Sequence, residues 1–253
     1  MRIRVLGAHG GSTPRHRQTS FLLNDIVCLD AGALTEALSL DEQARIRAVL
    51  VTHSHLDHVA TLPFLVENLF GRTRDPVEIA APAEVIESLR RHLFNDDVWP
   101  DFSRLPDQRL PTVSFRALEW NLPERVGGLT VTAVPVSHVV PTCGYLVSDG
   151  SGTIVFSGDT GPTEAIWEAA RRVADLRAVF AECSFPDGMR EIAEISRHLT
   201  PATLKAELKK MPPAVPVFLY HMKPPTLEAL ASEVVALGEP RLRLLSDGEE
   251  LSF

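Results

Sequence analysis

A chain of 253 residues, 45% apolar and 23% charged, has the composition of an ordinary soluble globular protein and the length to bury a full core in one large domain. Its formal net charge of −8 argues against a general nucleic-acid binder, although a local basic patch can hide inside an acidic total and leaves RNA as the lesser alternative, and it admits small anionic ligands wherever bound cations supply local positive charge. Cys28, Cys143 and Cys183 are odd in number, far apart and set in apolar sequence, which argues for packed reduced thiols and against a disulfide framework.

In chain order, residues 1–7 lack the apolar core of a signal peptide, and residues 3–6 predict a short strand. No apolar run is long enough to span a bilayer, so a cytoplasmic protein without a membrane partner is expected. The turn Gly7-Ala8-His9-Gly10-Gly11 is followed by strand-like rather than helical sequence, so it is not a dinucleotide fingerprint. His9 and His16 are either solvated loop residues or side chains facing a site at the loop ends. Residues 20–23 and 26–29 predict a hairpin around Asn24-Asp25, ending at Asp30-Ala31-Gly32. Residues 34–44 are helix-compatible, and 47–52 predict a buried strand.

That strand delivers His53-Ser54-His55-Leu56-Asp57-His58, three imidazoles and a carboxylate within six residues. Packing does not account for such a density, because each group must stay solvated or find a partner. Neutral imidazole and carboxylate together suit divalent transition metals such as zinc. Val59, Leu62, Leu65, Val66, Leu69 and Phe70 then recur at helical spacing, predicting a helix from near His58 to Gly71 with Pro63 in its first turns. Residues 77–80 predict a strand and 82–94 a helix. The stretch 94–102 is aromatic, acidic and broken by Pro100. It is either part of a cap around residues 92–106, with Trp99 and Phe102 stacked on a flat ligand, or a loop pinned by two buried aromatics. His92 beside it reads as structural or exposed.

From Val113 the chain returns to short strands: 129–136 ending at Ser137-His138, 143–147, and 153–156 ending at Ser157-Gly158-Asp159-Thr160-Gly161. A helix over 162–172 precedes a strand over 178–181, which leads into Glu182-Cys183-Ser184. Thr200 and Pro201 predict a capped helix running to about Lys210, residues 215–220 a strand ending at His221, and 242–245 a last strand. His53, His138, Asp159, Glu182 and His221 thus all sit at or just past the end of an apolar run, which predicts their convergence along one edge of the sheets. Taken singly, His138 or His221 reads as a buried histidine bonded to backbone, and Asp159 as a turn residue. In company with the first motif, metal ligation accounts for them better.

The ordered set His53-Ser54-His55-Leu56-Asp57-His58, His138, Ser157-Gly158-Asp159-Thr160 and His221 resembles the ligand motifs of the metallo-beta-lactamase superfamily, over nearly the whole chain. The resemblance implies an α/β (α+β) fold: a four-layer αββα sandwich of two mixed sheets flanked by helices, as a single domain over residues 1–253. It also implies two divalent metal ions, zinc foremost, with manganese and iron as alternatives. On that correspondence His53, His55 and His138 hold one ion, Asp57, His58 and His221 hold the other, and Asp159 bridges them. Within the superfamily the motifs are most similar to ribonuclease Z and the class II 3′,5′-cyclic-nucleotide phosphodiesterases. By resemblance to ribonuclease Z, Glu182 and His198 assist departure of the leaving oxygen. The chemistry agrees, because an alkoxide leaving group needs a proton and a histidine held by a carboxylate supplies one.

Only two short strands fit between His138 and Asp159, which leaves no room there for the tRNA-gripping arm of many ribonuclease Z enzymes, and the acidic total also disfavours RNA. Leu62-Pro63, Trp99-Pro100-Asp101-Phe102, Ser184-Phe185-Pro186, His198-Leu199-Thr200-Pro201 and His221-Met222-Lys223-Pro224 look like the class II cyclic-nucleotide enzymes. Ala60-Thr61 departs from the Gly or Ser usual after the histidine motif. The expected reaction is hydrolysis of cyclic AMP or cyclic GMP to the 5′-monophosphate. A hydroxide positioned by Asp57 attacks phosphorus in line with the 3′ oxygen, which His198, assisted by Glu182, protonates. Lys223 either adds charge toward phosphate or is simply exposed. The alternatives are a ribonuclease Z-like tRNA 3′-end endonuclease, another hydrolase of the superfamily, and a non-catalytic cyclic-nucleotide-binding protein. A homodimer is expected from symmetry and from the resemblance.

Overall fold

The computed structural model describes residues 1–73 and 75–253. Its elements begin with β1 (Arg2–Gly7), β2 (Ser20–Leu23), β3 (Val27–Leu29), α1 (Leu34–Ala37), α2 (Leu40–Gln43), β4 (Ala48–Leu50), α3 (Leu56–Val59), α4 (Leu62–Leu69), β5 (Val77–Pro82), α5 (Ala83–His92) and β6 (Val113–Leu118). They continue with β7 (Pro123–Val126), β8 (Leu129–Pro135), β9 (Cys143–Ser148), β10 (Thr153–Phe156), α6 (Ala165–Arg171), β11 (Leu176–Glu182), α7 (Arg190–Ser196), α8 (Pro201–Glu207), β12 (Val217–Tyr220), α9 (Leu227–Ala236), β13 (Leu242–Leu244) and β14 (Glu250–Ser252).

Side-chain alternation along the strands sorts them into layers. Ile3, Val5, Phe21, Leu23, Val27, Leu29 and Leu50 of the first sheet meet Val131, Ala133, Tyr145 and Val147 of the second in one core. Their neighbours Leu22, Cys28, Val49 and Ile79 point the other way, onto Leu34 of α1, Leu62, Leu65 and Leu69 of α4, and Val85 and Leu89 of α5. On the far side of the second sheet, Ile166 and Trp167 of α6, Leu204 of α8 and Leu230 of α9 complete the packing. Helices therefore flank two mixed sheets, ordered β14-β1-β2-β3-β4-β5-β6 and β13-β12-β11-β10-β9-β8-β7.

Asn24 and Asp25 both adopt left-handed φ values, 46° and 63°, as a two-residue turn between right-twisted strands requires. Two expected helices are broken instead. Residues 34–44 divide at Ser39, whose hydroxyl accepts from the N–H of Glu42 while the Glu42 carboxylate accepts from the N–H of Ser39, starting α2 afresh. The predicted helix between His58 and Gly71 divides at Thr61, whose N–H and hydroxyl both donate to Ala31 O, and α4 restarts with Pro63 in its first turn. The elements β7, β14, α7 and α9 carried too little signal in the sequence: β7, β14 and α7 each bury one residue, and α9 buries two.

The topology sets the edge at which function gathers. Both β8 and β10 run antiparallel to β9, and β10, β11 and β12 are mutually parallel, so these four strands end on one side. The Cys143 N–H donates to Thr52 O and the Tyr145 hydroxyl to Val51 O, joining the second sheet to the chain that leaves β4. Behind this edge lies Glu207, buried, accepting from Trp167 Nε1 at 2.7 Å, Thr163 N at 3.1 Å and Lys210 Nζ at 2.7 Å. It fastens α8 to α6 and to the loop that follows Asp159. Among the described residues no helix is long and apolar enough to cross a membrane.

Removing the Glu207 carboxylate leaves a buried indole N–H and a backbone N–H without acceptors. Glu207→Ala is accordingly expected to lower unfolding stability by about 2–4 kcal/mol in urea titration, whereas a change within error would show that water replaces the carboxylate. Cys28, Cys143 and Cys183 are buried with free thiols, and burial pushes each thiol above its usual range. A thiol reagent is expected to label none of them in the native protein and all three in denaturant.

Candidate metal centre

His53, His138 and Asp159 each lie three residues past the end of a strand, β4, β8 and β10 respectively; Glu182 is the last residue of β11, and His221 follows β12 directly. His55, Asp57 and His58 belong to the turn and short α3 beyond His53. These separate strand ends bring eight imidazole and carboxylate groups together. The Oδ2 of Asp159 lies 3.2 Å from His221 Nε2, 3.3 Å from His58 Nε2 and 3.7 Å from His53 Nε2. His138 Nε2 is 3.3 Å from His55 Nδ1, and His221 Nε2 is 3.2 Å from Asp57 Oδ2. Candidate ligand atoms of His53, His55 and His138 lie within 4.8 Å of one another, as do those of His53, His58 and Asp159 and those of Asp57, His58 and His221.

The chemistry of this donor set fits a divalent cation. His53 Nε2, His58 Nε2 and Asp159 Oδ1 are buried polar atoms without a hydrogen-bond partner, a costly condition that a metal ion relieves. Burial lowers the pKa of His53, His55 and His221, and pushes His138 down to about 4, so their rings are neutral with a lone pair to offer. His58 behaves oppositely: burial opposes its charge, but the carboxylates of Asp159 and Asp30 outweigh that penalty and raise its pKa. A divalent ion held at His58 Nε2 would require the neutral ring, with the remaining proton on Nδ1 toward Asp30. Burial likewise disfavours charge on Asp159 and Asp57, yet the surrounding imidazoles hold both well below the usual carboxylate range.

Outside the donors, a layer of acceptors fixes how the rings point. Asp30 accepts from His58 Nδ1 at 2.7 Å and from Thr52 N at 2.8 Å, and the Thr52 hydroxyl donates to Asp30 Oδ2 at 2.9 Å. With its proton so committed, Thr52 Oγ1 accepts from His53 Nδ1 at 3.0 Å. His138 Nδ1 donates to Arg197 O at 3.1 Å. In each case the Nδ1–H is engaged and Nε2 faces the centre. Gly10 packs so closely that a Cβ there would lie 2.7 Å from His221 Cε1 and 2.6 Å from Lys223 Nζ, so only glycine fits. Lys223 is no free surface lysine: its Nζ donates to Gly10 O at 2.8 Å and lies 3.5 Å from Asp57 Oδ2.

Residues 27–222 match a family described as "Beta-lactamase superfamily domain". The chain belongs to that superfamily. It is 29% identical to a Yersinia pestis protein named probable 3′,5′-cyclic-nucleotide phosphodiesterase, over 87% of this chain and 77% of the relative. It is 24% identical to ribonuclease Z of Methanosarcina acetivorans, over 83% of this chain and 84% of the relative. The crystal structure of unliganded yeast PDE1 shares the fold, with a TM-score of 0.81 at 20% identity, covering 100% of this chain and 99% of that one. The superfamily fold implies divalent-metal binding, and the His and Asp clusters provide donors for it. Together they support a metal-dependent hydrolase.

Beside this donor cluster stands a second group. Glu182 Oε1 is 2.8 Å from His198 Nδ1 and accepts from Thr160 N at 3.1 Å. The His198 ring stacks on His221, with centroids 5.2 Å apart and planes inclined by 18°. Burial opposes charge on His198, but Glu182 outweighs it and raises the imidazole pKa.

Other expectations fall elsewhere. His9 is neither solvated nor part of the cluster: 5% exposed, it places Nδ1 3.1 Å from Asp247 Oδ1, which pins the Gly-rich turn to the turn before β14. His16 pairs with the Thr13 hydroxyl, its ring edge against His9. Phe102 is turned into the core, edge-on to Phe70, so it is not placed to stack on a ligand. Trp99 is half-buried against Phe64, and His92 is exposed. Asp30, Thr52 and Ser184 were not foreseen as part of the site; the one signal for Asp30 is its position at the end of a predicted strand, level with the strand that carries His53. Asp30→Ala is expected to weaken divalent-metal affinity about 10–100-fold in competition with a chromogenic chelator; an unaltered affinity would show that His58 needs no outer acceptor.

Proposed function

We propose that this protein hydrolyses 3′,5′-cyclic nucleotides to 5′-monophosphates with two divalent metal ions, zinc foremost. The observation that carries the reading is the Glu182–His198 pair, which sets a protonatable imidazole against His221 at the rim of the metal donors. His53, His55 and His138 would hold one ion, Asp57, His58 and His221 the other, with Asp159 between them; the proximity of Asp159 Oδ2 to His53, His58 and His221 supports that division. When bound, the ions activate water as the nucleophile and offset charge on the phosphoryl oxygens.

The chain's own residues do the remainder. Asp57, whose carboxylate lies beside His221 and Lys223, accepts a hydrogen bond from the attacking water and orients it toward phosphorus. Lys223, fixed by Gly10 O and close to Asp57, adds positive charge on the phosphate side. His198 donates its Nε2 proton to the departing 3′ oxygen while Nδ1–H stays on Glu182, whose negative charge keeps the imidazole protonatable in a buried setting. Only β9, β10 and their turns separate His138 from Asp159, which supports a small substrate over a long RNA held by an inserted arm.

Metal-loaded protein is expected to convert cyclic AMP or cyclic GMP to the 5′-monophosphate and to leave precursor tRNA uncut; cleavage of the tRNA with cyclic nucleotides intact would transfer the reading to the ribonuclease Z-like alternative. His198→Ala is expected to lower kcat for cyclic nucleotides by about 10²–10⁴-fold with metal content unchanged, measured by product chromatography beside elemental analysis.

A further inference from the structure

Ser184 lies two residues beyond Glu182, where β11 gives way to the loop, and is fully buried. Its Oγ lies 2.8 Å from Glu182 Oε2, 2.9 Å from His221 Nδ1 and 3.2 Å from His198 Nδ1. A hydroxyl has one proton to give, and an ionised carboxylate accepts only. His198 Nδ1 is nearer to Glu182 Oε1, at 2.8 Å, so its N–H is spent on the carboxylate and makes no demand on Ser184. The competition is therefore between Glu182 Oε2 and His221 Nδ1 for the Ser184 proton. A buried carboxylate is the stronger acceptor and costs more to leave unpaired, so the proton goes to Glu182. Ser184 must then accept from His221 Nδ1–H.

This assignment has a consequence at the opposite nitrogen. With its proton on Nδ1, His221 presents an Nε2 lone pair toward Asp57 and Asp159, the form a metal ligand requires. The other tautomer, with Nε2–H on Asp57, would set Nδ1 against Glu182 for the same hydroxyl proton. His198 on one ring face and Gly10 against Cε1 leave His221 little freedom to turn away. We propose that Ser184 is a positioning residue whose single hydroxyl fixes His221 as an Nε2 ligand and at the same time holds Glu182 for His198. The metal donors and the leaving-group pair are thereby aligned as one unit. This rests on the roles given above to His221, Glu182 and His198.

The test compares zinc-loaded wild-type protein with Ser184→Ala and Ser184→Thr, read in two ways. In dialysis against graded chelator, Ser184→Ala is expected to lose zinc at about tenfold lower chelator activity, and Ser184→Thr, which keeps a hydroxyl, to recover most of the difference. In kinetics, Ser184→Ala is expected to lose more activity on cyclic AMP than on bis(p-nitrophenyl) phosphate, whose nitrophenolate leaves without a proton. Unchanged zinc retention together with an unchanged ratio of the two rates would overturn the proposal. A threonine variant as impaired as the alanine variant would also overturn it, since the hydroxyl would not be the active feature. If circular dichroism shows that Ser184→Ala is unfolded, Ser184→Cys, close in volume and a poor hydrogen-bond partner, carries the same expectations. Should wild-type protein leave cyclic nucleotides intact, the substrate reading fails, and zinc retention alone decides the role of Ser184.

Discussion

Asp159 keeps a negative charge at a position with 1% of its surface exposed, and the rest of the centre is organised around offsetting that charge. A lone buried carboxylate is too costly to survive in a packed interior; it neutralises or gathers cations. Here His53 and His58, from the segment after β4, and His221, from the end of β12, gather on it, and two of those rings present an Nε2 without a hydrogen-bond partner. The sandwich pays for this concentration of polar groups with apolar layers between the sheets, beneath α1, α4 and α5, and beneath α6, α8 and α9. The site sits where those layers end, so its groups are dry enough to interact strongly yet lie beside the exposed Leu56 at the start of α3.

Orientation is controlled from outside the donor ring. Asp30, Thr52, the Arg197 carbonyl and Ser184 each engage an Nδ1, and in doing so turn an Nε2 inward. None of these outer groups needs to touch a metal or a substrate. They decide instead which nitrogen carries a proton, a choice that separates a ligand from a spectator. Ser184 differs from the others because its second partner is Glu182, so the same hydroxyl touches both the donor set and the carboxylate that pairs with His198.

Two of the expectations illustrate how context overrides pattern. Phe102 looked equally suited to a cap and to a core, and its ring lies against Phe70; an aromatic side chain follows the nearest apolar surface, which the linear order does not reveal. His9 occupies a Gly-rich loop that reads as solvated, yet it is buried because Asp247, more than two hundred residues later, folds over it and also accepts from Ala8 N and Arg17 N. The divided helices at Ser39 and Thr61 tell the same story at shorter range. Helical periodicity continues through both, but a side-chain cap in one case and a bond to Ala31 O in the other capture the backbone groups that a continuous helix would use.

By itself the amino-acid sequence determined the donor inventory, its order along the chain and the strands that carry it. His53, His138, Asp159 and His221 were legible because an apolar run ending in a ligating residue is a local pattern, repeated often enough to imply a common edge. Glu182 and His198 were legible through their motifs. What only the tertiary structure decided was pairing: that Asp159 is shared by His53, His58 and His221, that Lys223 leans on Asp57 and Gly10, and that Asp30 and Ser184 stand behind the rings. Those contacts join residues from different strands, and a buried serine or aspartate at a strand end carries no periodicity to announce its partner. Hydrogen-bond direction depends on which acceptor lies nearest in space, and that is settled only when the sheets have closed on one another.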